Sequence, residues 1–172
     1  MTQSDTPSAQ TGGAPGWVRV LLIVITAIET LTGVSEVTVL FGDISDVRGY
    51  SFGGLAIIAK LALHPVVALV ALVFAVKDDV PRSIIALAAW LILGWLTEVP
   101  AFLIHGIGFS LQYGDLYVLA IAFVFPVLGV AAIWLALQKR QLELAAIFAS
   151  VPTIAQWLGV LAFMIAVMTY GF

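Results

Sequence analysis

Five apolar segments, separated only by short polar breaks, follow one another along this chain: 17–40, 51–76, 83–104, 116–137 and 144–169. At about 1.5 Å of rise per residue, a 22-residue helix covers roughly 33 Å, which matches the hydrocarbon core of a bilayer. The ordinary competitor is a soluble all-helical core protein, which could not cover so apolar a surface with polar groups. The expected fold is therefore all-α: a polytopic bundle of about five transmembrane helices. Composition agrees, since 62% of residues are hydrophobic and 10% charged, whereas soluble domains are roughly half apolar and a quarter charged. The fourth and fifth segments carry no charge at all. The first is interrupted by Glu29 and Glu36. Were it to lie along the interface, four spans would remain.

Residues 1–16 are rich in Ser, Thr, Pro and Gly and lack an apolar period, so they read as a disordered polar tail ahead of a helical domain over 17–172. A cleaved secretory signal needs basic residues before its apolar stretch. Here the first is Arg19, at the edge of the stretch, so the first segment is expected to stay as an anchor.

Basic residues give the orientation. Arg19, Lys77, Arg82, Lys139 and Arg140 fall on one side of the spans, while the opposite side has Arg48. The positive-inside rule then places the amino terminus in the cytoplasm and the carboxyl terminus outside. Tyr50, Phe52, Tyr113, Tyr117, Tyr170 and Phe172 would all lie at the external interface, where amphipathic rings settle. The expected location is a cell membrane, that of the bacterial cytoplasm, with membrane lipid as the first partner. The absence of cysteine removes disulfides, thiolate metal sites and thiol redox chemistry. A net charge of -3 offers no basic patch for nucleic acid.

Within this apolar background stand six ionisable residues: Glu29, Glu36, Lys60, His64, Glu98 and His105. An intramembrane charge faces a partner or a water-filled cavity. Glu29 and Glu36 are seven apart, Lys60 and His64 four apart, and Glu98 and His105 seven apart, so each of the first three helices has one polar stripe. Counted along the helix axis, Glu29 and His64 lie near the midplane and Lys60 and Glu98 roughly 5–7 Å toward the outside. By the same count Glu36 is about 11 Å out and His105 reaches the interface. Five of these, Glu29, Glu36, Lys60, His64 and Glu98, form a candidate ladder for a proton or ion that opens outward. Lys60 with Glu98 is the first expected pair, and Glu29 with His64 the second. The ordinary alternative is a buried pair that fixes helix register and passes nothing.

Prolines fall inside the spans at Pro65, Pro100, Pro126 and Pro152. Each frees a carbonyl and favours a kink. Pro126 and Pro152 read as packing kinks; Pro65 and Pro100 stand beside ionisable residues.

His64 and His105 invite a haem reading as axial ligands, but they differ by about 16 Å in depth and ligands to one iron must be level. No His-Glu-x-x-His, Gly-x-Ser-x-Gly or phosphate-cradling loop is present. No cofactor, metal site or complete catalytic constellation is expected, and an enzyme is the less favoured class.

Three functions remain. The first is proton- or ion-linked transport or permeation of a small solute through the ladder, in a chain so short that a homo-oligomer is expected. The second is an accessory or assembly subunit of a larger membrane complex, with the charges as an interhelical lock; Ala132 with Ala136 and Ala145 with Ala149, each four apart, would permit close helix contact. The third is a haem- or quinone-linked membrane subunit or enzyme.

The charge distribution makes a direct prediction. Reporters fused after Lys77 and after Tyr113 should report opposite sides of the membrane, the first cytoplasmic; both on one side would remove the five-span topology.

Overall fold

The computed structural model describes residues 14–41, 52–105 and 118–171, and among these every regular element is helical. Helix α1 spans Gly16–Val37 and ends in a 3-10 turn, Thr38–Phe41. Helices α2, Phe52–Val76, and α3, Val80–His105, follow. Helix α4 comprises a π-helical turn, Ala120–Val124, running into Phe125–Leu137, and α5 is Leu142–Tyr170. All five are long and apolar enough to cross a membrane. The protein is a multi-pass membrane protein.

Arg48, Tyr50, Tyr113, Tyr117 and Phe172 lie outside the described residues, as do the tail through residue 13 and the side chains of Phe52, Pro100 and His105.

Successive helices pack side by side, and α5 returns to α1, closing a ring. The segment that carries two acids is a full member of it: Val18, Leu22 and Thr26 of α1 are completely buried, so the count is five rather than four. Helix α3 starts three residues earlier than the apolar run. Asp79 is its N-cap, with Oδ1 accepting the Arg82 backbone amide at 3.3 Å and Oδ2 pairing with the Arg82 guanidinium at 2.9 Å, and Pro81 fits the first turn, where no amide is needed. Across the same turn the Arg19 guanidinium donates to the Val76 carbonyl at 2.7 Å, satisfying an orphan acceptor at the end of α2.

The bundle is tight at one end. Val18, Leu22, Ala71, Ala75, Ile84, Ala88, Ala132, Ala136, Ala145 and Ala149 interlock in the half that holds these short turns. Alanine permits this because lipid supplies no hydrophobic drive between helices, leaving close van der Waals contact as the main attraction. Both alanine pairs singled out by spacing are buried here. Large side chains such as Leu31, Val127 and Trp134 point outward instead, the arrangement expected where the solvent is hydrocarbon.

Beyond that core, α1 and α2 meet at one tight crossing. A Cβ on Gly33 would lie 2.8 Å from the Pro65 nitrogen and 2.9 Å from its Cα, so only glycine lets the backbones approach this closely. Gly33→Ala should therefore destabilise the protein by about 1–3 kcal/mol through forced separation of α1 and α2. Gly94→Ala, whose Cβ meets nothing within 4 Å, should be neutral or stabilising by up to about 1 kcal/mol. Unfolding in mild detergent measures both, and equal losses would show that the crossing is not tight.

Candidate functional site: a histidine between two glutamates

Gly33 lies between Glu29 and Glu36 on one face of α1, and its contact with Pro65 presents that face to the neighbouring His64 of α2. The imidazole lies between the two acids. Its Nε2 is 2.9 Å from Glu29 Oε2 and its Nδ1 is 2.7 Å from Glu36 Oε2. Thr153 of α5 donates its hydroxyl to Glu29 Oε1. Trp90 of α3 stacks on the imidazole, with ring centroids 4.1 Å apart and planes at 14°. Three helices thus meet at the ring, and α5 reaches it through Glu29.

Lys60 Nζ lies 2.9 Å from Glu98 Oε1, joining α2 to α3 one turn from His64. Trp95, three residues before Glu98, donates its indole N–H to the Ala122 carbonyl at 3.0 Å. That carbonyl would otherwise accept from residue 126, but Pro126 has no amide. The indole replaces the missing donor next to the π-helical turn, a bond that hydropathy alone could not reveal.

These groups line a cavity of about 370 Å³ whose other walls include Phe125, Pro152 and Gln156. Side-chain exposure rises outward from its centre: 4% for His64, 10% for Glu29, 36% for Glu36 and 44% for Glu98. A carboxylate exposed to hydrocarbon would be very costly. The five ionisable side chains thus run from a buried centre at His64 and Glu29 to the more exposed Glu36 and Glu98 along one cavity.

Hydrogen-bond stoichiometry constrains the protons. A carboxylate only accepts, and a neutral imidazole donates through only one of its nitrogens. Two bonds from one ring to two carboxyl groups require one more proton than a neutral ring and two carboxylates possess. Either the ring is an imidazolium donating to both acids, or one glutamate is protonated and donates to the ring. The group can exchange one proton between defined positions.

Several sequence expectations are revised. Glu36, placed about 11 Å outward by its Cα, bonds to the same ring as Glu29, because the Gly33 crossing and the length of the glutamate bring its carboxyl group inward. The Lys60–Glu98 pair does form, yet it is wetter than the Glu29–His64 pair, which is the buried centre. A haem on His64 is disfavoured, since both ring nitrogens are engaged by carboxyl groups. Thr153, Trp90 and Trp95 were not anticipated. The tryptophans could have been found, because Trp90, Leu91, Gly94, Trp95 and Glu98 recur at three- and four-residue steps along one face of α3. Thr153 carried no comparable signal.

Comparison of the chain with protein-family models, curated proteins and solved structures finds no match. The chemistry therefore has to be read from the site itself.

The difference in burial predicts different losses. His64→Ala removes the partner of a buried acid and should destabilise by about 3–5 kcal/mol. Lys60→Met breaks a hydrated pair and should lose no more than about 1 kcal/mol. Detergent unfolding distinguishes them; similar losses would mean that the Lys60–Glu98 pair is dry.

Proposed function

We propose that this protein is a small proton-linked transport protein, in which the Glu29–His64–Glu36 group loads and releases the proton and the adjoining cavity takes the solute. One observation carries the reading: an imidazole bonded through both nitrogens to carboxyl groups must share a proton, and it lines a cavity at mid-bundle. Proton relays in membranes are built from acids and histidine, and histidine is the side chain whose charge ordinarily changes near neutral pH.

The route suggested by the exposure gradient starts at the mouth beside Glu98 and Lys60, passes Glu36 and reaches His64 and Glu29. Glu29 is the terminal station, held by Thr153 so that its carboxyl group stays aimed at the ring. Helix α1 runs from the tight end toward the mouth, so a cytoplasmic amino terminus makes the mouth external. We propose the bacterial cytoplasmic membrane as the setting and a homo-oligomer as the assembly.

A second reading has its own support. Glu29 ties α1 to α2 through His64 and to α5 through Thr153, which is what an interhelical lock in a subunit of a larger complex would need.

Glu29→Gln separates the two, since it keeps size and hydrogen bonding but cannot titrate. In proteoliposomes it should lower pH-driven proton or solute flux by about 10²-fold, the usual weight of a positioned proton-transfer group, with yield and oligomeric state unchanged. Wild-type protein that shows no pH-dependent flux, together with a variant altered only in its association with another membrane protein, would favour the lock.

A further inference from the structure

The hydrogen bonds of the Glu29–His64–Glu36 group allow its shared proton two kinds of place, the ring or a glutamate, and the surroundings of the ring discriminate between them. The two carboxyl groups meet the imidazole at its edge, through Nε2 and Nδ1. Trp90 covers a face of the ring, nearly parallel at 14° and with centroids 4.1 Å apart. That is closer than the roughly 4.5–7 Å usual between aromatic side chains. An indole face is the negative part of the ring quadrupole and attracts a cation laid over it within about 6 Å. A neutral imidazole gains no such attraction.

Glu29 gives an independent indication. Its Oε2 bonds the ring and its Oε1 accepts the Thr153 hydroxyl, so both oxygens act as acceptors, as those of a carboxylate do. Among the titratable groups that line the cavity, Lys60 of α2 is bonded to Glu98 of α3, and α4 and α5 contribute none. With the proton on the ring, each ring nitrogen donates to a carboxylate in a charge-assisted bond, roughly twice as strong as a neutral one. A proton on Glu36 would instead turn one acceptor neutral and lay a neutral ring against the indole.

The sequence holds the indole at this level. Trp90 follows Leu87 and Ala88 on α3, both buried in the tight half of the bundle. The alanine-rich core therefore sets the height of the tryptophan, and the stack carries that position to His64.

We propose that Trp90 is the positioning residue that keeps the shared proton on His64, so that the loaded state is an imidazolium donating to two carboxylates, Glu29 and Glu36. The inference rests on the proton-linked reading and assigns the loaded state of the same site. Unloading removes the proton from a ring whose charge the indole favours, so the indole also influences how readily the proton leaves.

Nitrogen-15 magnetic resonance on the full chain in lipid nanodiscs tests this. In a His105→Gln background His64 is the single histidine. At pH 6 both of its ring nitrogens should carry protons. A ring with one bare nitrogen at that pH, together with an infrared carboxylic-acid band that vanishes in Glu29→Gln or Glu36→Gln, would place the proton on a glutamate and overturn the proposal. The part played by Trp90 is read by replacing it with mono-, di- and trifluorotryptophan, which weaken the indole face and keep its shape. At the pH where charged and neutral rings are equal in the unfluorinated protein, their ratio should fall stepwise by about tenfold over the series. A ratio unmoved by fluorination would show that the indole only packs, and would also overturn the proposal. Circular dichroism and oligomer size establish that each form is folded. Flux in proteoliposomes keeps the two readings apart. A neutral ring in a protein whose pH-driven flux is lost in Glu29→Gln removes this inference and leaves proton-linked transport standing. An imidazolium that responds to fluorination in a protein without any flux upholds the proton's location and removes the transport reading.

Discussion

The crossing of Gly33 over Pro65 is the contact on which the rest of the site depends. It brings the acidic face of α1 against α2 at the level of His64. A longer side chain at residue 33 would separate the helices, and neither ring nitrogen could then reach its carboxyl group. The proline contributes as well: α2 runs unbroken through Pro65, which has no amide proton to give to the carbonyl one turn earlier. The adjacency of His64 and Pro65 therefore joins a chemical group to the backbone feature against which α1 rests.

The two ends of the bundle follow from side-chain size. Toward the short turns, alanines on α2, α3, α4 and α5 let the helices pack in direct contact, and no room is left between them. Toward the other end, two tryptophans, a histidine and three glutamates occupy the inward faces, and the helices enclose a cavity rather than a core. Such a cavity would collapse or fill with lipid were its walls apolar. Its polar groups bind one another, and their bonds span α1, α2, α3 and α5.

Hydropathy along one dimension was enough for the architecture, because a span in lipid is defined by length and polarity alone. It was also enough to match Lys60 with Glu98 and Glu29 with His64, since those pairings needed only opposite character and similar depth. Depth fixes one coordinate of three, and the remaining features depend on the other two. Thr153 reaches Glu29 across 124 residues of sequence because α5 closes the ring against α1, a neighbour relation that no periodicity contains. Glu36 joins the ring because Gly33, one turn beyond Glu29 on the same stripe, admits a closer approach than average helices allow. The Trp95–Ala122 bond depends on a proline four residues beyond the carbonyl, which is a signal of a free acceptor but not of the donor that finds it.

That last bond explains why the wall between cavity and bilayer has a fixed position while the charge inside it does not. An unsatisfied carbonyl at membrane depth is costly, so the acceptor freed by Pro126 holds the Trp95 indole in place. The π-helical turn at Ala120–Val124 presents Ala122 toward α3, and turns of this kind recur at functional sites because they re-aim backbone groups without breaking a helix. Shifting Trp95 would therefore expose a backbone acceptor, whereas moving a proton among Glu29, His64 and Glu36 only exchanges one set of charge-assisted bonds for another. The fold assigns the boundary to backbone chemistry, which resists change, and the variable charge to three side chains that can redistribute a proton over hydrogen bonds of 2.7 and 2.9 Å.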